Sequence, residues 1–216
     1  IRCVVKDGDE VITFAPYFPE YVPYVEGTGA KLIIVPADIE TFQINFELFE
    51  KALNPNVQAV LVNSPNNPSG IVYSTATIKK LADILRAKQE EYGHDIYLVS
   101  DEPYREIVFE GADAPFISSF YDNSLCCYSF SKSLSLPGER IGYVLVPNTA
   151  TDWQKVYFAV CGADRSLGFV CAPSLFQKIV PKCIGKTADI SIYKKNRDIL
   201  INALSEYGYT VAQPDG

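Results

Sequence analysis

Lys132 and Arg140 are the residues whose type and spacing first suggest chemistry. They lie in the stretch Tyr128 to Tyr143, YSFSKSLSLPGERIGY, where an apolar run ends in serines and the arginine follows eight residues after the lysine. A lysine held at the end of a buried strand can form a Schiff base with a carbonyl cofactor, and a guanidinium beside it can meet an anion. The same residues also suit a surface turn with two ordinary cations. Asp101 in SDEPYREI follows another apolar run, and a carboxylate there needs a cationic or hydrogen-bonding partner. Its plainer reading is a helix N-cap. Asn67, in the Pro-rich loop SPNNPSG, reads equally as a turn residue, and Tyr104 as a core aromatic.

The elements that must position these residues follow from the apolar patterning. Strand-like runs occupy Glu10–Ala15, Lys31–Pro36, Val57–Asn63, Ile96–Ser100, Leu125–Phe130 and Ile141–Val146. VQAVLVN at 57–63 is nearly uninterrupted in its apolar character, as expected for a strand buried on both faces. Between the strands lie helix-like stretches after Pro19, near Phe46–Leu53 and near Ser74–Glu91, where Ile78, Leu81, Ala82 and Leu85 share a face and Ser74 or Thr75 can cap the start. Two or three further helices follow, the clearest over about Thr187 to Glu206, with Lys194, Lys195, Arg197 and Asp198 expected on a solvated face. Alternating strands and helices imply βαβ units and a mainly parallel sheet, in which ligands bind beyond the carboxyl ends of the strands. Asn63–Gly70, Asp101–Tyr104 and Ser129–Lys132 each follow such an end, so three polar clusters converge on one edge.

Composition narrows the partners. The 216 residues are 48% hydrophobic, enough for one substantial core, and 26 acidic against 19 basic side chains give a net charge of −7. An acidic surface argues against nucleic acid or an anionic membrane as the main partner. No apolar run approaches the roughly 20 residues that span a bilayer. The six cysteines lack the paired spacing of a zinc site, so no metal is expected, and they read as buried thiols of a reducing, cytoplasmic compartment. His94, the sole histidine, reads as a polar loop residue in YGHD. The absence of any Met, with the loop signal QPDG at the end, gives the expectation of a piece of a longer protein.

Taken together, a Lys, an Asp, a Tyr, an Asn, an Arg and Ser hydroxyls suit pyridoxal phosphate. The lysine amine would hold the aldehyde, the carboxylate would keep the pyridine nitrogen protonated, Tyr and Asn would bond the phenolic oxygen, and the guanidinium would grip the phosphate.

NNPSG at 66–70, SDEPYREI at 100–107, SFSKSLSLPGERIGY at 129–143 and GDEVITFAPYFPEY at 8–21 occur in the order found in one family. On these motifs the chain resembles the class I/II aminotransferases of the fold-type I pyridoxal-phosphate enzymes. The resemblance implies a three-layer α/β/α large domain with a mainly parallel sheet. It also implies an enzyme that moves an amino group between an L-amino acid and a 2-oxo acid. Lys132 would be the Schiff-base lysine and the base for the α-proton, and Asp101 would pair with the pyridine nitrogen. Tyr104 and Asn67 would contact the phenolic oxygen, and Ser129 and Arg140 the phosphate. Phe18 would stack on the ring, with Tyr17 and Tyr21, close by in sequence, as the alternatives for that place.

The resemblance further implies that residues 1–216 are a single cofactor-binding large domain. An N-terminal segment, an upstream phosphate loop and a C-terminal small domain with the α-carboxylate arginine are expected outside it. The piece alone is expected to be inactive, and the whole protein to be a homodimer, with Gly162–Ser174 near the interface. Two rivals share the site: a C–S or related β-eliminating lyase, against which Tyr104 leans, and a non-catalytic effector domain of a transcription regulator.

Overall fold

The computed structural model describes residues 1–216. Six strands, β1 (Glu10–Ala15), β2 (Lys31–Pro36), β3 (Val57–Asn63), β4 (Tyr97–Asp101), β5 (Ser124–Ser129) and β6 (Gly142–Leu145), form one sheet in the order β2-β1-β3-β4-β5-β6. Every pairing is parallel except β5 with β6, where the chain turns back through a short connection. The helices are α1 (Tyr21–Glu26), α2 (Phe46–Ala52), α3 (Thr75–Tyr92), α4 (Phe130–Ser133), α5 (Trp153–Ser166), α6 (Ser174–Ile179) and α7 (Ser191–Glu206).

Strand periodicity divides the core into two layers. Ile12, Phe14, Val60 and Val62 point to one face and pack with Phe49 of α2 and Ile78, Leu81 and Leu85 of α3. Val11, Ala59, Leu61 and Val99 point to the other and pack with Tyr21 and Val25 of α1 and Val156 of α5. The α/β/α sandwich expected from the alternation is therefore present, and β3 at its centre is buried on both faces.

Local signals account for the element ends. The side chain of Ser74 accepts a hydrogen bond from the Thr77 N–H at the start of α3, and Gly93 ends that helix in the left-handed conformation, φ 73°. Asn45 caps α2 in the same way through the Leu48 N–H. Three expectations need correction. The last helix begins at Ser191 rather than near Thr187, because Asp189 accepts from the Ser191 N–H and holds the preceding turn. Arg197 turns inward, its side chain 13% exposed, with the guanidinium 4.4 Å from the Phe109 ring centre, so it does not belong to a solvated face. Of the six free cysteines only Cys126 is fully buried, and Cys171 is exposed.

The end of the chain returns to the loops that follow β3 and β4. The N–H groups of Asp215 and Gly216 donate to the Gly70 carbonyl, Asp215 Oδ2 accepts from the Val72 N–H, and the Phe109 N–H donates to Asp215 O. Gly70, at φ 69°, leaves the space that Pro214 fills.

Candidate active site

The carboxyl ends of β1, β3, β4 and β5 lie side by side, and the residues singled out from the sequence sit just beyond them. Asp101 is the last residue of β4 and is paired in register with Asn63 of β3 and Cys127 of β5. Lys132 lies on α4, one turn of helix that starts directly after β5, rather than on a loop. Ser129 is the N-cap of that turn. Its Oγ accepts from the Ser131 N–H at 3.0 Å and lies 2.5 Å from Ser131 Oγ.

Two groups of contacts assemble the site. In one, the Lys132 ammonium is 5.6 Å from the centre of the Tyr104 ring, and Asn67 Nδ2 donates to Tyr104 Oη at 3.4 Å. Burial raises the Tyr104 pKa, the Asn67 bond opposes that rise, and Asp101 adds to it, so the phenol stays protonated at neutral pH. In the other, Tyr21 Oη donates to Asp101 Oδ2 at 2.7 Å, and the Phe18 ring meets that of Tyr21 edge-on at 5.8 Å. Burial raises the Asp101 pKa above the ordinary carboxylate range; the Tyr21 bond counters this and the Glu102 charge adds to it.

Asn63 joins the two groups. Its side chain, 3% exposed, donates to the Asp101 carbonyl at 2.8 Å and accepts from the Asn67 N–H at 2.6 Å. Asn66 closes the same loop against β1 by donating to the Pro16 carbonyl at 3.3 Å. Ser129 and Arg140 line a separate small cavity of about 190 Å³ together with Ser131, Gly142 and Phe169. Arg140 is in the left-handed region, φ 52°, after the turn Pro137–Glu139, and donates to the Pro137 carbonyl at 2.9 Å. That conformation costs about 1–2 kcal/mol in a residue with a side chain.

The ion pairs separate the site's charges from the rest. Neither Lys132 nor Arg140 is paired with a carboxylate, and Asp101 is paired with no lysine or arginine. The Asp101 Oδ1 atom has no hydrogen bond, since Tyr21 engages Oδ2. Two cations and one carboxylate thus face the same sheet edge without counterions of their own. A ligand with a cationic ring, an anionic group and a carbonyl complements them.

The supporting contacts of five residues carry no mark in the sequence reading above. Glu102, 1% exposed, accepts from Ser100 Oγ at 2.7 Å and from Arg105 Nε at 2.6 Å, with Arg105 Nη2 also on the same carboxylate. Arg105 lies over the Phe116 and Tyr128 rings and donates to Cys126 Sγ. Tyr128 Oη is 2.8 Å from Ser133 Oγ, which ties the Lys132 turn to β5. Asn63 and Tyr21 complete the set. The acid and base in SDEPYREI are a visible i,i+3 pair; the reach of Tyr21 to a residue 80 positions away has no local signal. Burial pushes the Cys127 thiol up to about 11 and that of Cys126 up to about 12, so neither is a nucleophile.

The family described as aminotransferase class I and II matches residues 1–216. A solved amino transferase from Eubacterium rectale superposes with a TM-score of 0.97 and 57% identity, over 100% of this chain and 54% of that one. A Thermus thermophilus aspartate aminotransferase variant superposes with a TM-score of 0.84 and 25% identity, over 100% and 58%. A probable N-acetyl-LL-diaminopimelate aminotransferase of Bacillus subtilis is 30% identical over 100% of this chain and 53% of its own length. An arginine–pyruvate transaminase of Pseudomonas aeruginosa is 29% identical over 100% and 54%. The chain spans about half the length of the curated relatives it matches.

Proposed function

This chain belongs to the family of class I and II aminotransferases, and from that premise we propose that its protein is a pyridoxal-phosphate-dependent transaminase moving an amino group between an L-amino acid and a 2-oxo acid. The observation that carries the proposal is the meeting of Lys132, Tyr104, Asn67 and Asp101 at one sheet edge, with the two charged groups free of protein counterions. The residues fit the cofactor. Asp101, desolvated and without a cation, suits a protonated ring nitrogen at Oδ1. Ser129 and Arg140 offer a hydroxyl and a guanidinium to a phosphate in their shared cavity.

When bound there, pyridoxal phosphate supplies an aldehyde that captures amines and a ring that withdraws electrons from the substrate α-carbon. Lys132 contributes the amine and, when it is free, the base that takes and returns the α-proton. Asp101 holds positive charge at the ring nitrogen. Tyr104, kept protonated, donates from the phenol, and Asn67 orients it. Phe18 gives an aromatic face, steadied edge-on by Tyr21.

In the same reading residues 1–216 are the large, cofactor-binding domain of a cytoplasmic homodimer, with the substrate-carboxylate arginine elsewhere in the protein. The exposed apolar side chains Tyr143 and Val144 of β6 and Tyr157 and Phe158 of α5 support burial against further protein. The relatives' names span several amino donors, so the donor of this protein follows from none of them. The test is a panel of amino donors and 2-oxo acids given to the intact protein with pyridoxal phosphate. Amino transfer to at least one 2-oxo acid, lost in Asp101→Ala with smaller loss of cofactor binding, supports the reading. Absence of transfer across the panel refutes it, and equal losses in binding and turnover make Asp101 structural.

A further inference from the structure

Tyr21 lies three residues after Phe18, at the start of α1, and its side chain is 4% exposed. It makes two contacts in the site: the hydroxyl donates to Asp101 Oδ2 at 2.7 Å, and the ring meets that of Phe18 at 5.8 Å with the planes 81° apart. Tyr21 belongs to the buried cluster of Val11, Leu61 and Val99, on the face of the sheet that α1 and α5 cover, which holds the ring in place. Its phenol is held far above its ordinary ionisation range, first by burial and then by the Asp101 charge, so it is a neutral donor wherever the protein works.

Resting on the transaminase reading above, we propose that Tyr21 is a positioning residue of the reaction: it engages Oδ2 of Asp101, leaves Oδ1 for the pyridine nitrogen, and steadies the stacking ring of Phe18 with the same side chain. The alternatives for holding Asp101 are few. The groups around it are Glu102 and Tyr104 beyond β4, Cys127 on β5 and Asn63 on β3. Glu102 is already engaged by Ser100 and Arg105, Tyr104 accepts from Asn67, and Asn63 reaches the Asp101 main chain. Only Tyr21 donates to the carboxylate itself. A carboxylate with one oxygen pinned has one orientation to offer a ligand, and a neutral donor keeps it charged without cancelling the charge.

Tyr21→Phe separates this role from packing, since the ring stays and only the hydroxyl leaves. In the intact protein loaded with pyridoxal phosphate, the variant should melt close to the parent and retain the cofactor. Its kcat should fall about tenfold with KM changed by less than about twofold, because an interaction realised at the reacting ring has gone. Loss of the donor raises the Asp101 pKa, so the acid limb of the kcat profile should move up by about one pH unit. A second readout is independent of turnover: the ¹⁵N shift of the ring nitrogen in labelled cofactor, titrated without substrate, should move to higher pH in step. An unmoved acid limb with an unmoved ¹⁵N titration overturns the inference. So does a variant that fails to fold or to retain cofactor, which would make Tyr21 structural. A parent protein that binds no pyridoxal phosphate overturns the transaminase reading itself, and is seen before Tyr21 is changed.

Discussion

Asp101 and Glu102 are neighbouring carboxylates at the end of β4, and the structure gives them opposite parts in stability. Glu102 is 1% exposed and holds Arg105, whose side chain is 22% exposed, in a salt bridge supported by Ser100. Glu102→Gln keeps the volume and removes the charge, leaving the guanidinium over Phe116 and Tyr128 without its counterion. Breaking one member of a buried pair costs about 3–5 kcal/mol, and the remaining exposure of Arg105 brings the expected loss to about 2–3 kcal/mol. At about 2–4 °C per kcal/mol for a domain of this size, the melting midpoint should fall by about 4–12 °C. Asp101→Asn should behave differently. A carboxyl whose folded pKa is raised above its unfolded value stabilises at low pH, and that contribution is lost as pH rises through the folded pKa. A neutral Asn suffers no such loss and still offers an acceptor to Tyr21. The cofactor-free Asp101→Asn protein should therefore melt at or above the parent at neutral pH, the gap closing as pH falls into the carboxylate range. Thermal unfolding of the cofactor-free proteins followed by circular dichroism reads both. The reasoning fails if Glu102→Gln melts within about 2 °C of the parent, or if Asp101→Asn loses as much as Glu102→Gln.

Three other substitutions test the remaining supports. Arg140→Ala should weaken cofactor retention by about 10–100-fold, the value of about 1.5–3 kcal/mol for a charge-assisted pair; a fluorescence titration giving the parent's Kd would remove Arg140 from the phosphate site. Asn63→Ala frees the Asn67 N–H and the Asp101 carbonyl together. It should cost about 1–3 kcal/mol in urea unfolding and slow turnover, and an unchanged midpoint would mean that other groups satisfy both. Gly142→Ala would drive a Cβ into the Tyr128 carbonyl across the β5–β6 pairing, so amides of that ladder should exchange faster with solvent. Parent-like exchange would show that β6 shifts freely.

The frame of the molecule was legible because its central strands are buried on both faces. β1 and β3 have the limits that their apolar runs predict, the more exposed edge strand β2 does too, and the Ser74 cap marks the start of α3. Farther along, polarity misled. The serines around Lys132 read as a loop, yet Ser129 uses its hydroxyl to start a helical turn, which projects the lysine from β5. Strand β4 runs one residue farther than its apolar run and takes in Asp101, because the ladder to β3 and β5 continues through that residue. The positions of Asn67, Asp101, Tyr104 and Lys132 at or just beyond strand ends were readable from residue type. Their supports were not. Tyr21 to Asp101, Asn63 to Asp101 and Asp215 to Val72 join residues 80, 38 and 143 positions apart, and no local pattern encodes such contacts. Arg197 reads in sequence as one charge of a polar face, but in the fold its guanidinium lies over the Phe109 ring.

Lys132 is the residue proposed to meet the cofactor's aldehyde. Treating the intact protein and pyridoxal phosphate with borohydride, then mapping the peptides by mass spectrometry, locates that bond directly. The prediction is a single reduced cofactor adduct on the peptide carrying Lys132, absent in Lys132→Ala together with the visible absorption band. An adduct on another lysine, or a band that survives Lys132→Ala, would contradict it.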